Sequence, residues 1–496
     1  MKDKGLLKKL AGETAVYGIS TIVARFLNFL FVPLYTYTLS TQDYGVVTEF
    51  MSYIAILQVL LTMGLETGCF RYANKEGYEP DKVFSSAFTA VTFISLLFLI
   101  LISVFSEPLS VAMGYTGYSK CYIYIGLILC SDSITSVLFA RLRFASKAWN
   151  FAIFKVVKIL TETLSNLFLF LIFPKIAIAY PNNFLLNFVP ATPDFTYPIF
   201  SIVVSAIVAF ALFIPQMFKL GIKVDRRLLK ELLKYSLPLM IAGLPGVMND
   251  FLDRILFRFF NVDDTLWRSE LGIYQAAVKV AVIMSLFVQT FRFASEPFFF
   301  ARSKDKDVKQ TYARIMEYFV AFCMLIFLGV VLYIDVIQYV VGRDFRVGMS
   351  IVPVMLFSYV LLGMLFNVSM WYKLSDKSSY AIYITLSGLV VTAVVNVLFL
   401  PKYSYYAAAW GHLLSYLTML VVSLFMGRKH YHIPYRWRKI IAIMAYALLI
   451  YTLASLVPGE WSLIWRLVIN TLFILIYIGG YLFGEKYFGN ESKSCE

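Results

Sequence analysis

Charge is scarce in this chain. Only 15% of its 496 residues are Asp, Glu, Lys or Arg, 60% are hydrophobic and the mean hydropathy is +0.74, a balance that excludes an ordinary soluble globular protein. Cysteine and histidine are scarcer still. The five cysteines, Cys69, Cys121, Cys130, Cys323 and Cys495, are odd in number and scattered, and indicate neither a disulfide framework nor a metal cluster. Of the three histidines, His412 stands alone in an apolar stretch, while His430 and His432 lie in a basic loop that reads as a solvated face in preference to a metal site. A phosphate-cradling G-x-x-x-x-G-K run is missing, which excludes ATP hydrolysis by that route, and no cofactor is implied.

What is present is apolar sequence in lengths of roughly 20 residues, each enough to cross a hydrocarbon core of about 30 Å as a helix. The spans run 14 to 39, 46 to 70, 83 to 106, 119 to 140, 149 to 173, 197 to 218, 232 to 259, 271 to 299, 310 to 333, 348 to 371, 379 to 400, 405 to 426, 438 to 457 and 463 to 483. These fourteen spans predict an all-α polytopic membrane protein. The first reads as a retained span and not a signal peptide, because Arg25 and Asn28 interrupt its apolar core and no small-residue cleavage site follows.

The 44 Lys and Arg outnumber the 30 Asp and Glu, an excess that could point to nucleic acid. Its distribution argues otherwise. With the N-terminus in the cytoplasm, the inner breaks, among them "KLGIKVDRRLLKELLK" and "RKHYHIPYRWRK", hold about 28 basic residues against about seven in the outer ones. Both termini are expected to be cytoplasmic, and no nucleic-acid partner is implied.

A weak internal duplication is visible between "AVYGISTIVARFLNFLFVPLYTYTLSTQDYGVVTEF" and the sequence that begins "LKYSLPLMIAGLPGVMNDFLDRILFRFF". Six spans separate the two starts, so both halves would enter from the same side, related by an axis along the membrane normal. The expected division is 1–220 with spans 1 to 6, 221–427 with spans 7 to 12, and 428–496 with spans 13 and 14 and a cytoplasmic tail.

Spans grouped as six, six and two, together with "YGISTIVARFLNFLFVPLYTYTLSTQDYG" and "FRFASEPFFF", resemble the polysaccharide flippases (Wzx type) of the multidrug/oligosaccharidyl-lipid/polysaccharide (MOP) exporter superfamily. The resemblance covers the whole chain. It implies two pseudo-symmetric six-helix lobes in a V around a central cavity, with alternating access carrying undecaprenyl-pyrophosphate-linked oligosaccharide outward across a bacterial inner membrane. The implied context is surface polysaccharide (O-antigen, lipopolysaccharide) synthesis. Implied partners are the lipid-linked oligosaccharide, membrane lipids, a coupling proton or sodium ion, and the polysaccharide polymerase machinery.

Charges inside spans cost at least ~2.5 to 3.5 kcal/mol each near mid-bilayer, so each needs water or a partner. Arg25 lies roughly 16 Å into span 1, too deep to reach either surface comfortably. Its guanidinium fork suits phosphate, and a structural pair with Asp250 or Asp253 is the alternative. Lys279 and Arg292 would add cations at two further depths of span 8. Glu296 sits one turn from Arg292 beside Pro297, where a gate or the inner rim of a site competes with an interfacial pair that orients the helix. Glu66, Asp250 and Asp253 are candidates for gating or ion coupling, because burial raises a carboxyl's proton affinity. Glu162 has Lys158 one turn away as a ready structural partner. Pro33, Pro238, Pro245, Pro297 and Pro353 mark places where spans can bend.

Three function classes follow. A flippase for lipid-linked oligosaccharide accounts for the deep cations. A multidrug or organic-cation antiporter of the same superfamily would favour acidic and aromatic lining. A membrane enzyme would need a large outer loop with acid and base groups, but the longest outer break, 174 to 196, offers only Lys175 and Asp194 as charges, so catalysis is not expected.

Overall fold

A computed structural model describes residue 23 and residues 26–260, 266–301, 307–375, 377–458 and 460–491, the side chains of 297, 300, 301 and 487–491 excepted. Among the described residues there are helices and no strand. Twelve of the helices are long and apolar enough to cross a membrane. The chain is a multi-pass membrane protein. Two of the fourteen sequence spans fall outside those twelve. The beginning of 14 to 39 lies largely outside the described residues, and 232 to 259 lies in a 35-residue helix, Arg226–Phe260, that carries several charges.

The chain forms two compact units, Met1–Gly272 and Ile273–Glu496. The first contains α1 (residues 26–38), α2 (Thr41–Thr62), α3 (Leu65–Ala73), α4 (Pro80–Val104), α5 (Ser106–Ala112), α6 (Ser119–Phe144), α7 (Ala148–Leu167), α8 (Phe173–Ala179), α9 (Thr196–Leu220) and α10 (Arg226–Phe260). At its centre is α6, with 78% of its apolar window buried against α2, α4 and α9. By contrast α4 buries 22% of its window and turns Phe93, Ile100 and Val104 outward, as a helix facing lipid does.

The second unit takes in most of α11 (Trp267–Ala301), then α12 (Val308–Val331), α13 (Ile334–Ile337), α14 (Val352–Val368), α15 (Met370–Leu374), α16 (Tyr380–Tyr403), α17 (Tyr405–His430), α18 (Trp437–Ser455) and α19 (Leu463–Glu491). Its core pairs are α16 with α17 and α14 with α17, while α18 and α19 pack on α12.

The "LSTQDYG" stretch has a local physical meaning. Ser40 caps α2, its Oγ accepting the Asp43 N–H at 3.0 Å, so one otherwise orphaned donor of the first turn is satisfied. Gly45 follows because a backbone passes over it: a Cβ there would lie 1.8 Å from the Arg268 carbonyl oxygen, and one on Gly272 would lie 2.0 Å from the Thr41 carbonyl oxygen. The two glycines let α2 and the start of α11 cross backbone to backbone. Gly45→Ala is therefore expected to destabilise the protein by about 3 kcal/mol, the upper end for overpacking, since the obstacle is main chain and cannot rotate away. Thermal unfolding in detergent, compared with the same change at Gly243, where a Cβ meets nothing within 4 Å, measures it.

Not every proline of the spans interrupts its helix. Both α10, through Pro238 and Pro245, and α11, through position 297, continue as unbroken helices. Span 2 is interrupted, at Met63 (φ 51°) and Gly64 (φ 66°), both left-handed. Close approach explains the break: a Cβ on Gly64 would stand 2.7 Å from the Ser236 carbonyl oxygen of α10. Span 5 adapts differently. Pro174 removes the donor that Phe170 would use, and a π turn over Phe168–Ile172, in which Phe173 N–H bonds to Phe168 O, precedes it.

Candidate functional site

Along α7 the polar residues Lys155, Lys158, Glu162 and Asn166 recur at i, i+3, i+7 and i+11, which places them on one helix face. Lys155 is about 10 Å and Lys158 about 15 Å from the start of the helix, so the second reaches the middle of a bilayer. Lys158 finds a partner on another helix. Its Nζ meets Asp132 Oδ1 of α6 at 2.5 Å, both side chains about three-quarters buried. Helix rotation decides this: α6 presents Asp132 to the face where Lys158 points. Asn166 takes the hydroxyl of Tyr35 from α1 at 2.9 Å and donates to the Glu162 carbonyl at 3.0 Å.

Lys155 differs from its neighbours. It lies over Phe139 at 4.7 Å and Phe151 at 5.9 Å, within the electrostatic reach of Lys158, Asp132, Glu66 and Arg143, and no ion pair of Lys155 occurs among the described residues. A half-buried ammonium held by rings can accept an incoming anion without first giving up a carboxylate. Glu66, beyond the break in span 2, pairs with Arg143 at 3.2 Å, and Arg71 lies over Tyr235. Together Arg143, Lys155 and Lys158 set three cations against Glu66 and Asp132.

A second cluster of the first unit is closed. Glu49 of α2 is fully buried, and Arg258 of α10 grips it through both oxygens at 2.5 and 2.9 Å. Tyr115 donates its hydroxyl to the same carboxylate, and Arg258 Nη1 reaches the Met113 carbonyl at 2.9 Å. Trp267 covers the guanidinium at 4.7 Å. On the same helix Asp253 is fully buried and Arg254 is 9% exposed, with Arg254 Nη1 bonded to the Asp250 carbonyl at 3.0 Å. Sequence reasoning found Asp250 and Asp253 but missed Glu49 and Arg258, which are 209 positions apart.

In the second unit, Glu296 bridges two cations. Arg292 stands 3.7 Å away along α11 and lies over Phe366 at 4.7 Å, while Lys373 of α15 takes the other carboxylate oxygen in a closer contact. The expected (i, i+4) pair exists, but its stronger partner comes from another helix. Lys279 is half-buried on α11 between the buried Val278 and Val280. Phe299 packs in a core with Tyr312, whose hydroxyl donates to the Phe299 carbonyl at 2.5 Å. His430 is not a solvated loop residue. It ends α17 stacked on Trp371 at 5.4 Å, with its ring nitrogens near Met426 O and the Tyr380 hydroxyl. Arg25 lies outside the described residues. Among the described residues no group of His, Cys, Asp and Glu is arranged to hold a metal.

The profile of the family described as "Polysaccharide biosynthesis protein" matches residues 10–303, more than half of the chain. The chain belongs to that family. Its motif-bearing start of α2, its α7 face and the Arg292–Glu296 pair all fall within the match. Among individually curated proteins none matches this family member by sequence.

Solved structures show which fold this chain has. One of the lipid II flippase MurJ, in an inward closed conformation, aligns with a TM-score of 0.73 at 14% identity, covering 95% of this chain and 99% of that one. An inward-facing multidrug resistance MATE family transporter of the MOP superfamily gives 0.59 at 12% identity, over 83% and 94%. An outward-facing one gives 0.53 at 11% identity, over 85% and 94%. Fold and family agree with the superfamily resemblance drawn from the residues, and the solved relatives in fold are a flippase and transporters.

Proposed function

We propose that this protein is a flippase moving undecaprenyl-pyrophosphate-linked oligosaccharide from the inner to the outer leaflet of a bacterial inner membrane, for surface polysaccharide synthesis. The observation that carries this reading is the cationic face of α7, where Lys155, half-buried among rings and free of ion pairs among the described residues, stands near Arg143 and Lys158. A diphosphate needs cations at depth, and an exporter of organic cations would be opposed by them. Family membership and a fold shared with a lipid II flippase support the same conclusion.

In this proposal Arg25, Lys279 and Arg292 join Lys155 as headgroup contacts at successive depths. Glu66, Asp250, Asp253 and Glu296 serve as gates or as coupling sites for a proton or sodium ion. The two six-span parts, 1–220 and 221–427, would alternate access, with 428–496 as an accessory helix pair. Direction must come from ion flow or from consumption of product outside, by a polymerase for instance, because binding alone only shifts populations.

The second reading is an antiporter for drugs or organic cations. It is favoured by the fold shared with MATE transporters and by the buried carboxylate of Asp253. A deletion strain separates the two. The flippase reading expects lipid-linked glycan to accumulate on the cytoplasmic leaflet with drug sensitivity unchanged, whereas heightened drug sensitivity with normal glycan display would select the antiporter.

A further inference from the structure

Between α18 and α19 runs a groove of about 740 Å³, within the size range of ligand sites. One end is ionic and the rest is apolar. Its floor is opened by small residues: Tyr446 lies across Gly480 with its hydroxyl bonded to the Ile476 carbonyl at 2.8 Å, and at Gly484, one turn on, a Cβ would meet nothing within 4 Å.

The ionic end has one cation more than its carboxylates can neutralise. Glu317 of α12, 1% exposed, holds Arg436 at 3.2 Å and Lys439 at 2.9 Å, and Lys439 also reaches Glu485 at 2.6 Å. That pairs two cations with two carboxylates. Arg438, exposed on the same rim, makes no ion pair among the described residues. The surrounding sequence deepens the imbalance, since no Asp or Glu occurs from Lys377 to Gly459 while "RKHYHIPYRWRK" carries five Lys and Arg. Within the groove the Tyr481 hydroxyl is buried and has no hydrogen-bond partner among the described residues. A buried hydroxyl in that position is satisfied most simply by a ligand oxygen.

We infer that this groove binds an anionic phospholipid of the cytoplasmic leaflet, with its phosphate against Arg438 and an acyl chain along the floor beside Gly484. The chemistry is that of a basic juxtamembrane rim next to an apolar trough, which selects lipids by charge at the head and by shape at the tail. This site is separate from the cations proposed to hold the transported headgroup, so it stands or falls independently of what is carried.

The test is native mass spectrometry of the purified full-length protein in detergent, titrated in parallel with phosphatidylglycerol, phosphatidylethanolamine and undecaprenyl phosphate. Phosphatidylglycerol should be retained in preference to phosphatidylethanolamine. Arg438→Gln should lower its retention about fivefold, the factor one interfacial cation contributes, and Arg438→Lys should restore most of it. Gly484→Leu should reduce it by filling the trough, and Lys429→Gln, in the last turn of α17 and outside the groove, should leave it unchanged. Elution profile and unfolding midpoint confirm that each variant is folded, and the head and floor variants are independent, so one suffices if the other fails to fold. Equal retention of the two phospholipids, or wild-type phosphatidylglycerol retention in both Arg438→Gln and Gly484→Leu, overturns the inference. So does a groove whose variants lose undecaprenyl phosphate alone, which would give it to the carrier lipid.

Discussion

Lys155→Gln is expected to cut glycan export by about tenfold to a hundredfold at unchanged protein level, the range for losing one charge-assisted hydrogen bond to a bound anion. The reason is that Lys155 holds no carboxylate among the described residues, so its removal exposes no buried charge and should spare folding. Lys155→Arg should retain export. Neighbouring Lys158 must behave differently. Lys158→Met strands Asp132 and should lower expression and thermal stability, and Lys158→Met with Asp132→Leu should recover them, because an apolar pair can replace a buried ion pair at little cost. Arg25→Ala should match Lys155→Gln in export, and Arg25→Lys should keep part of the activity as a point charge without the fork. Export is read as surface glycan against lipid-linked glycan in the inner leaflet. Full export in both Lys155→Gln and Arg25→Ala would remove the phosphate role.

Arg258→Met is expected to cost about 3 to 5 kcal/mol of stability, because it leaves the fully buried Glu49 carboxylate with the hydroxyls of Tyr115 and Tyr53 and without its cation. Glu49→Gln in the same background should return a large part of that loss. A double-mutant cycle on thermal unfolding in detergent would show coupling of more than 1 kcal/mol, as expected for two groups in bidentate contact. Additive effects would mean that the pair is not formed in the membrane. The cluster also ties α2 to α10, so variants that keep their fold yet lose export would mark it as a contact that must open and close during transport.

Several features of the site could be read before any coordinates. Arg25, Lys279, Arg292, Glu66, Asp250, Asp253 and Glu296 stood out because each is a charge inside an apolar window, a property of about 20 consecutive residues. The α7 face was equally available, since Lys155, Lys158, Glu162 and Asn166 repeat at helical spacing. Reading only the (i, i+4) neighbour tied Lys158 to Glu162 and concealed the face. Partners on other helices were not available. Lys373 for Glu296, Arg143 for Glu66 and Arg258 for Glu49 depend on which helices adjoin and how each is rotated.

The sequence by itself determined that this is a many-spanned helical membrane protein, that its basic residues crowd into alternate breaks between spans, and that a glycine stands near the start of α2. Hydropathy, charge bias and capping are local sums, complete within one or two turns of chain or one span. Tertiary structure alone decided which charges neutralise one another, that span 2 breaks at Met63 and Gly64 and α10 does not break at its prolines, and that a basic-rimmed groove opens between α18 and α19. Those outcomes turn on how close two backbones come and which face each helix offers, and both are settled only when distant segments pack together.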